Sequence, residues 1–117
     1  MKKIIFASAC MAAVAGIALA AAPSRAEESV VVVTITNFAF SPATVTIKKG
    51  QIVRWVNQDF APHTATADGE TAEGDALFDT DTIGAGRFAE KTFDQAGAFA
   101  YHCGFHRGMK ATVVVQE

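Results

Sequence analysis

From residue 27 onward the chain carries no helical repeat; its apolar residues instead recur at every second position in short runs, and that alternation limits the fold more than any other feature. The runs are Val30 to Thr36, Thr44 to Ile47, Ile52 to Asn57, Phe88 to Phe93, Phe99 to Cys103 and Ala111 to Val115. Most are rich in β-branched and aromatic residues, which suit a pleated, half-buried surface. Val31, Val33 and Ile35 share one face of the first run, and Val53, Trp55 and Asn57 share one face of the third. Turn signals separate the runs at Ser41-Pro42, Lys48-Lys49-Gly50, Ala61-Pro62, Gly84-Ala85-Gly86 and Ala96-Gly97. Many short strands with no helix between them specify an all-β domain, a sandwich or a barrel.

The N-terminal stretch is of another kind. Lys2 and Lys3 precede a run from Ile4 to Ala22 in which only Ser8 and Gly16 are not apolar, followed by Pro23-Ser24-Arg25-Ala26. This is the pattern of a secretory signal peptide. The small residues Ser24 and Ala26 place the cut after Ala26, with Ala20 and Ala22 as alternatives, so residues 1–26 read as a leader and 27–117 as the domain. An alanine-rich run ending in a cleavage site favours a leader over a membrane anchor. Cys10 lies inside the run, with Ala7 rather than leucine three residues before it, so it reads as part of the leader and not as a lipid-attachment site. No twin arginine is present. The expectation is general export to the periplasm, no membrane insertion of the mature domain, and uptake of any cofactor after export.

Removing the leader changes the arithmetic. Lys2, Lys3 and Arg25 leave the ten basic residues while all twelve acidic ones stay, giving a net charge of −5 on 91 residues. A domain of that size buries roughly 60 to 65% of its unfolded surface, enough for one core without staples. With no Lys/Arg block it has no electrostatic footprint for nucleic acid. Its only cysteine is Cys103 and its only methionine is Met109, beside His63, His102 and His106. A lone thiol in an exported protein forms no internal disulfide and calls for another explanation. The stretch Asp68 to Asp81 carries six acidic residues and no basic one. It reads as a solvated loop with a short strand around Ala76 to Phe78; an acidic docking patch for a basic partner is the sharper alternative.

The chemistry gathers near the C-terminus, in Tyr101-His102-Cys103-Gly104-Phe105-His106-Arg107-Gly108-Met109. A thiol, an imidazole and a thioether recur at three-residue steps. Three residues of extended strand span roughly 10 Å, so sharing one ion requires a tight loop, and Gly104 and Gly108 supply backbone freedom for it. Taken singly, each residue has an ordinary structural role: a buried Cys as a small hydrophobe, a Met as gap filler, a His in the core or on the surface. Taken together they suit a soft or borderline transition metal rather than calcium or magnesium. A His₂Cys set with a long axial Met is the coordination of blue-copper electron-transfer sites. His63, in the loop after the Trp55 strand, is the better second histidine. His102 adjoins Cys103 on a strand and points to the opposite face.

The pattern Cys103-x-x-His106-x-x-Met109 closing an all-β domain, with His63 upstream, resembles the small blue-copper proteins, the cupredoxins, and among them the amicyanin and plastocyanin-like group. The likeness extends through Phe38-x-Phe40-x-Pro42, Val45-x-Ile47-x-x-Gly50-x-x-Val53-x-Trp55-x-Asn57, Pro62-His63-Thr64, Phe78-Asp79, Gly97 and Tyr101-His102-Cys103. It implies a Greek-key β-sandwich with antiparallel and mixed strands, and one copper ion cycling between Cu(I) and Cu(II). His63, Cys103 and His106 would be its equatorial ligands and Met109 its weak axial one. It also implies a monomeric, periplasmic one-electron carrier whose electron port is the edge of His106, ringed by Phe105 and Ala61. Its partners would be redox proteins such as a c-type cytochrome or a periplasmic dehydrogenase or oxidase. Two positions depart from the group: Thr64 stands where amicyanins usually have Asn, its backbone N–H serving equally, and Arg107 replaces the proline that often follows the second histidine.

Other functions compete less well. A periplasmic copper-binding or delivery protein could use the same ligands. A zinc hydrolase is disfavoured because no His-Glu-x-x-His motif is present and Met is a poor zinc ligand. The formal dinucleotide fingerprint at Gly84-Ala85-Gly86-Arg87-Phe88-Ala89 lacks a following helix. The chain reads as a non-enzyme.

Overall fold

The alternating runs become eight strands in a computed structural model that describes residues 29–117: β1 (Val30–Thr36), β2 (Ala39–Ser41), β3 (Thr44–Lys48), β4 (Ile52–Asn57), β5 (Thr66–Ala67), β6 (Phe88–Thr92), β7 (Gly97–His102) and β8 (Lys110–Gln116). One sheet has the order β2-β1-β4-β6 and the other β3-β8-β7-β5. β1 runs parallel to β4 and β3 parallel to β8, while the remaining neighbours are antiparallel. Every connection from β2 to β7 crosses between the sheets. The chain thus adopts the expected Greek-key sandwich with mixed pairing. Among the described residues no helix is long and apolar enough to cross a membrane.

Alternation puts one side of each sheet into a common core. Val33 and Ile35 from β1, Val53 and Trp55 from β4, Val45 and Ile47 from β3, and Val113 and Val115 from β8 are all buried. Asn57 continues the inward face of β4 and is fully buried too, as the shared face of Val53, Trp55 and Asn57 required. Phe40, Phe78, Phe93 and Tyr101 complete an aromatic cluster around Trp55. The Trp55 indole Nε1–H donates to the Tyr101 hydroxyl at 3.1 Å, tying one sheet to the other.

Three details differ from the sequence expectation. β2 and β5 are too short, at three and two residues, to show a period. No strand forms at Ala76 to Phe78; only isolated bridges pair Glu70 with Ala76 and Thr66 with Asp79. That segment is anchored instead by Phe78, which stacks on Trp55. β6 stops at Thr92 and β7 at His102, each one residue short of the predicted end, while β7 begins two residues early at Gly97. The predicted leader, 1–26, lies outside the described residues.

Burial pushes the Tyr101 hydroxyl up to about 12 from its ordinary 10.0, against the smaller lowering by the Trp55 bond. The folded state disfavours tyrosinate, so the stability this residue contributes is complete below pH 10.0 and is lost as pH rises towards about 12. Tyr101 is the only tyrosine. Ultraviolet titration of the metal-free protein should therefore show a single phenol ionisation near pH 12 instead of pH 10. Tyr101→Phe, which leaves the buried Trp55 N–H unpaired, should lower unfolding free energy by about 1–3 kcal/mol in a urea melt.

Candidate metal centre

Two loops at one end of the sandwich build the site. β4 ends at Asn57, whose Nδ2 donates to the carbonyls of Ala61 and Ile83, both at 2.9 Å, while its Oδ1 accepts the Asp59 N–H at 2.9 Å. This buried amide bends the 57–63 segment back on itself. His63 then exchanges backbone bonds with Ile83, donating at 3.2 Å and accepting at 2.7 Å, and its ring is fully buried.

The second loop follows β7. Cys103 N–H donates to the Met109 carbonyl at 3.0 Å, His106 N–H to the Cys103 carbonyl at 3.3 Å, and Met109 N–H to the His106 carbonyl at 2.9 Å. The loop therefore closes on its own backbone, and the three-residue spacing becomes a compact turn. Gly104 N–H donates to Thr64 Oγ1 at 2.7 Å. A Cβ at Gly104 would lie 3.2 Å from that oxygen, so the close approach of the two loops favours glycine.

The loops bring together the side chains of His63, Cys103 and His106. Cys103 Sγ lies 3.6 Å from His63 Nδ1 and 3.6 Å from His106 Nδ1, and the three atoms lie within 4.8 Å of one another. An ion roughly 2.3 Å from sulfur and about 2.0 Å from imidazole nitrogen, in trigonal or tetrahedral geometry, sets such donors about 3.5–3.7 Å apart. The donor set therefore fits one transition-metal ion. Thr64 N–H donates to Cys103 Sγ at 3.4 Å, so a threonine backbone does serve the sulfur. Met109 is buried in the core beside the loop, joined to Cys103 through its carbonyl. His102 turns away, as strand alternation requires, and its Nδ1 pairs with Asp68.

Two residues at the site escaped the sequence reading. Asp59 Oδ2 lies 2.8 Å from His63 Nε2, and the same carboxylate accepts the backbone N–H groups of Asn37 and Phe38. Burial alone would raise this carboxyl, but the Phe38 and Asn37 N–H groups together with His63 outweigh it and hold the group below its ordinary 3.8. Phe38 sets its ring edge-on to both histidines, with centroids 5.1 Å from His63 and 4.8 Å from His106. An isolated carboxylate four residues before His63 was the available signal for Asp59; Phe38 stood only in the Phe38-x-Phe40-x-Pro42 likeness, with no role attached to it.

A profile described as "Copper binding proteins, plastocyanin/azurin family" matches residues 27–116. The chain belongs to that family. It is 39% identical over 84 residues to a plastocyanin of Scenedesmus fuscus, covering 66% of this chain and 86% of that protein. It is 33% identical over 86 residues to an amicyanin of Paracoccus versutus, covering 74% of this chain and 64% of the relative's length. A solved structure of a reduced amicyanin variant superposes with a TM-score of 0.69 at 26% identity, covering 76% of this chain and 84% of the other. This cupredoxin thus combines the family's all-β frame with a His-Cys-His cluster, and copper is its cofactor.

Thr64 serves the centre twice, once through its backbone and once through its hydroxyl, which accepts from Gly104 and contacts Thr66 Oγ1 at 2.8 Å. Thr64→Val removes only the hydroxyl. The variant should lose about 1–3 kcal/mol of unfolding free energy because the Gly104 N–H is left unpaired, whereas Thr64→Ser should stay near wild type in the same denaturant titration.

Proposed function

We propose that residues 27–117 form a periplasmic one-electron carrier built around one type 1 copper ion, with His63, Cys103 and His106 as equatorial ligands and Met109 as the weak axial ligand. The observation that carries this reading is the placement of one buried thiol sulfur 3.6 Å from Nδ1 of each of two histidines. When bound, copper supplies the Cu(I)/Cu(II) couple. The protein's part is to keep the donors in one arrangement and to exclude water from the sulfur. His63 is held by backbone bonds to Ile83, Cys103 by the closed loop, and the sulfur accepts the Thr64 N–H, which draws charge from a thiolate and so tunes the site. Amicyanin variants of similar structure are known in reduced Cu(I) and in oxidised forms, which supports a frame tolerant of both states.

No substrate bond is broken in this scheme. The electron leaves or enters at His106, which is partly exposed, beside Phe105 at 55% exposure and Phe38 at 50%. Phe60, fully exposed, lies in the loop that leads to His63. An apolar rim of this kind suits brief docking of another redox protein, a c-type cytochrome or a periplasmic dehydrogenase or oxidase, by the monomeric carrier. Of the acidic segment, Asp68 is engaged with His102 and Asp79 with Thr66, leaving Glu70, Glu73, Asp75 and Asp81 exposed for a basic partner. Residues 1–26 act as the export leader.

Loading with one equivalent of Cu(II) should give an intense blue absorption that one electron bleaches and reoxidation restores, and Cys103→Ala should abolish it. A colourless protein fully loaded with Cu(II), or one that hands Cu(I) to an acceptor without cycling, would overturn the reading. Phe105→Glu should slow electron exchange with a redox partner at least severalfold without altering the absorption; an unchanged rate removes Phe105 from the port. Mass spectrometry of the exported protein should find Glu27 as its first residue.

A further inference from the structure

His63 has two ring nitrogens with different neighbours: Nδ1 faces Cys103 Sγ at 3.6 Å, and Nε2 faces Asp59 Oδ2 at 2.8 Å. An ionised carboxylate can only accept hydrogen bonds. A neutral His63 beside it therefore carries its proton on Nε2 and presents the Nδ1 lone pair towards Cys103. The opposite tautomer would place a proton where the ion must sit.

The carboxylate has further duties. Its Oδ1 accepts the Asn37 N–H at 2.7 Å, and its Oδ2 accepts the Phe38 N–H at 2.9 Å. Those two residues form the turn between β1 and β2, and both have left-handed backbone, with φ of 53° and 57°. Asparagine tolerates that region, but phenylalanine rarely enters it. The turn needs an external anchor, and the Asp59 oxygens are what its N–H groups meet. The reward for the strain is position: the Phe38 ring stands perpendicular to both His63 and His106, at 89° and 90°.

We propose that Asp59 is the positioning residue of the metal centre: one carboxylate selects the His63 tautomer that can bind an ion and holds the left-handed Asn37-Phe38 turn that seats an aromatic ring against both histidines. The site is thereby set before metal arrives. This inference rests on His63 being a ligand.

Nitrogen NMR of the metal-free wild type at pH 8 should find His63 protonated at Nε2 and bare at Nδ1; a proton on Nδ1 would overturn the proposal whatever the variants do. Asp59→Asn, whose amide cannot accept from all three donors, should move His63 towards the Nδ1–H tautomer. It should also speed hydrogen exchange at the Asn37 and Phe38 amides at least tenfold and weaken Cu(I) binding by about 10–100-fold. Asp94→Asn, at an exposed carboxylate between β6 and β7, should change none of these. His63→Ala should lose Cu(I) affinity; unchanged affinity there removes the ligand reading itself. Normal loss in His63→Ala beside a folded Asp59→Asn that keeps the Nε2–H tautomer and binds Cu(I) within twofold of wild type overturns this proposal alone.

Discussion

The indole of Trp55 donates to the hydroxyl of Tyr101 across the core, and the positions of these two residues in their strands govern what happens at the end of the sandwich. Asn57 follows Trp55 by two residues and Cys103 follows Tyr101 by two, so each continues an inward-facing row by one pleat. Where the sheets stop, those rows become the amide that bends the His63 loop and the thiol that faces it. Phe40, Phe78 and Phe93 pack around the pair, and aromatic contacts of this sort are each worth about 0.5–1.5 kcal/mol beyond burial. The spacing of the sheets is therefore set near the place where the two loops must meet.

Much of this frame could be read from residue order alone. Val33, Ile35, Val53 and Trp55 face inward because an alternating row has only one buried side, and the longer strands follow that rule closely. What could not be read has physical causes. The Ala39–Ser41 and Thr66–Ala67 strands are shorter than any detectable period, and their pairing is decided by β1 and β7. The segment around Ala76 reads as a solvated loop with a short strand, and only isolated bridges form there. One buried ring anchors an otherwise exposed stretch.

The centre divides in the same way. Cys103 and His106 stood out because rare side chains recur at equal steps, and His63 because only two other histidines compete with it; the fold brings these three side chains together. Asp59 and Phe38 were hidden because their roles arise from a turn, not from chemistry at a fixed offset. A left-handed conformation in a residue other than glycine costs on the order of 1–3 kcal/mol, and such strain persists where surrounding structure holds it. Asn37-Phe38 carries no glycine to announce the turn, and the carboxylate that stabilises it lies 22 residues from Asn37.

The thiol that marks the site in the sequence is wholly inaccessible in the fold, with no solvent-exposed surface at Cys103. Disulfide formation between two copies needs their Cα atoms within about 7 Å, and a sulfur this buried offers no surface to a second chain. Oxidants meet the same barrier, since reactivity of a cysteine follows access to it. Shelf life before metallation is thus tied to loop packing: burial of the sulfur slows its oxidation and its pairing with a second chain.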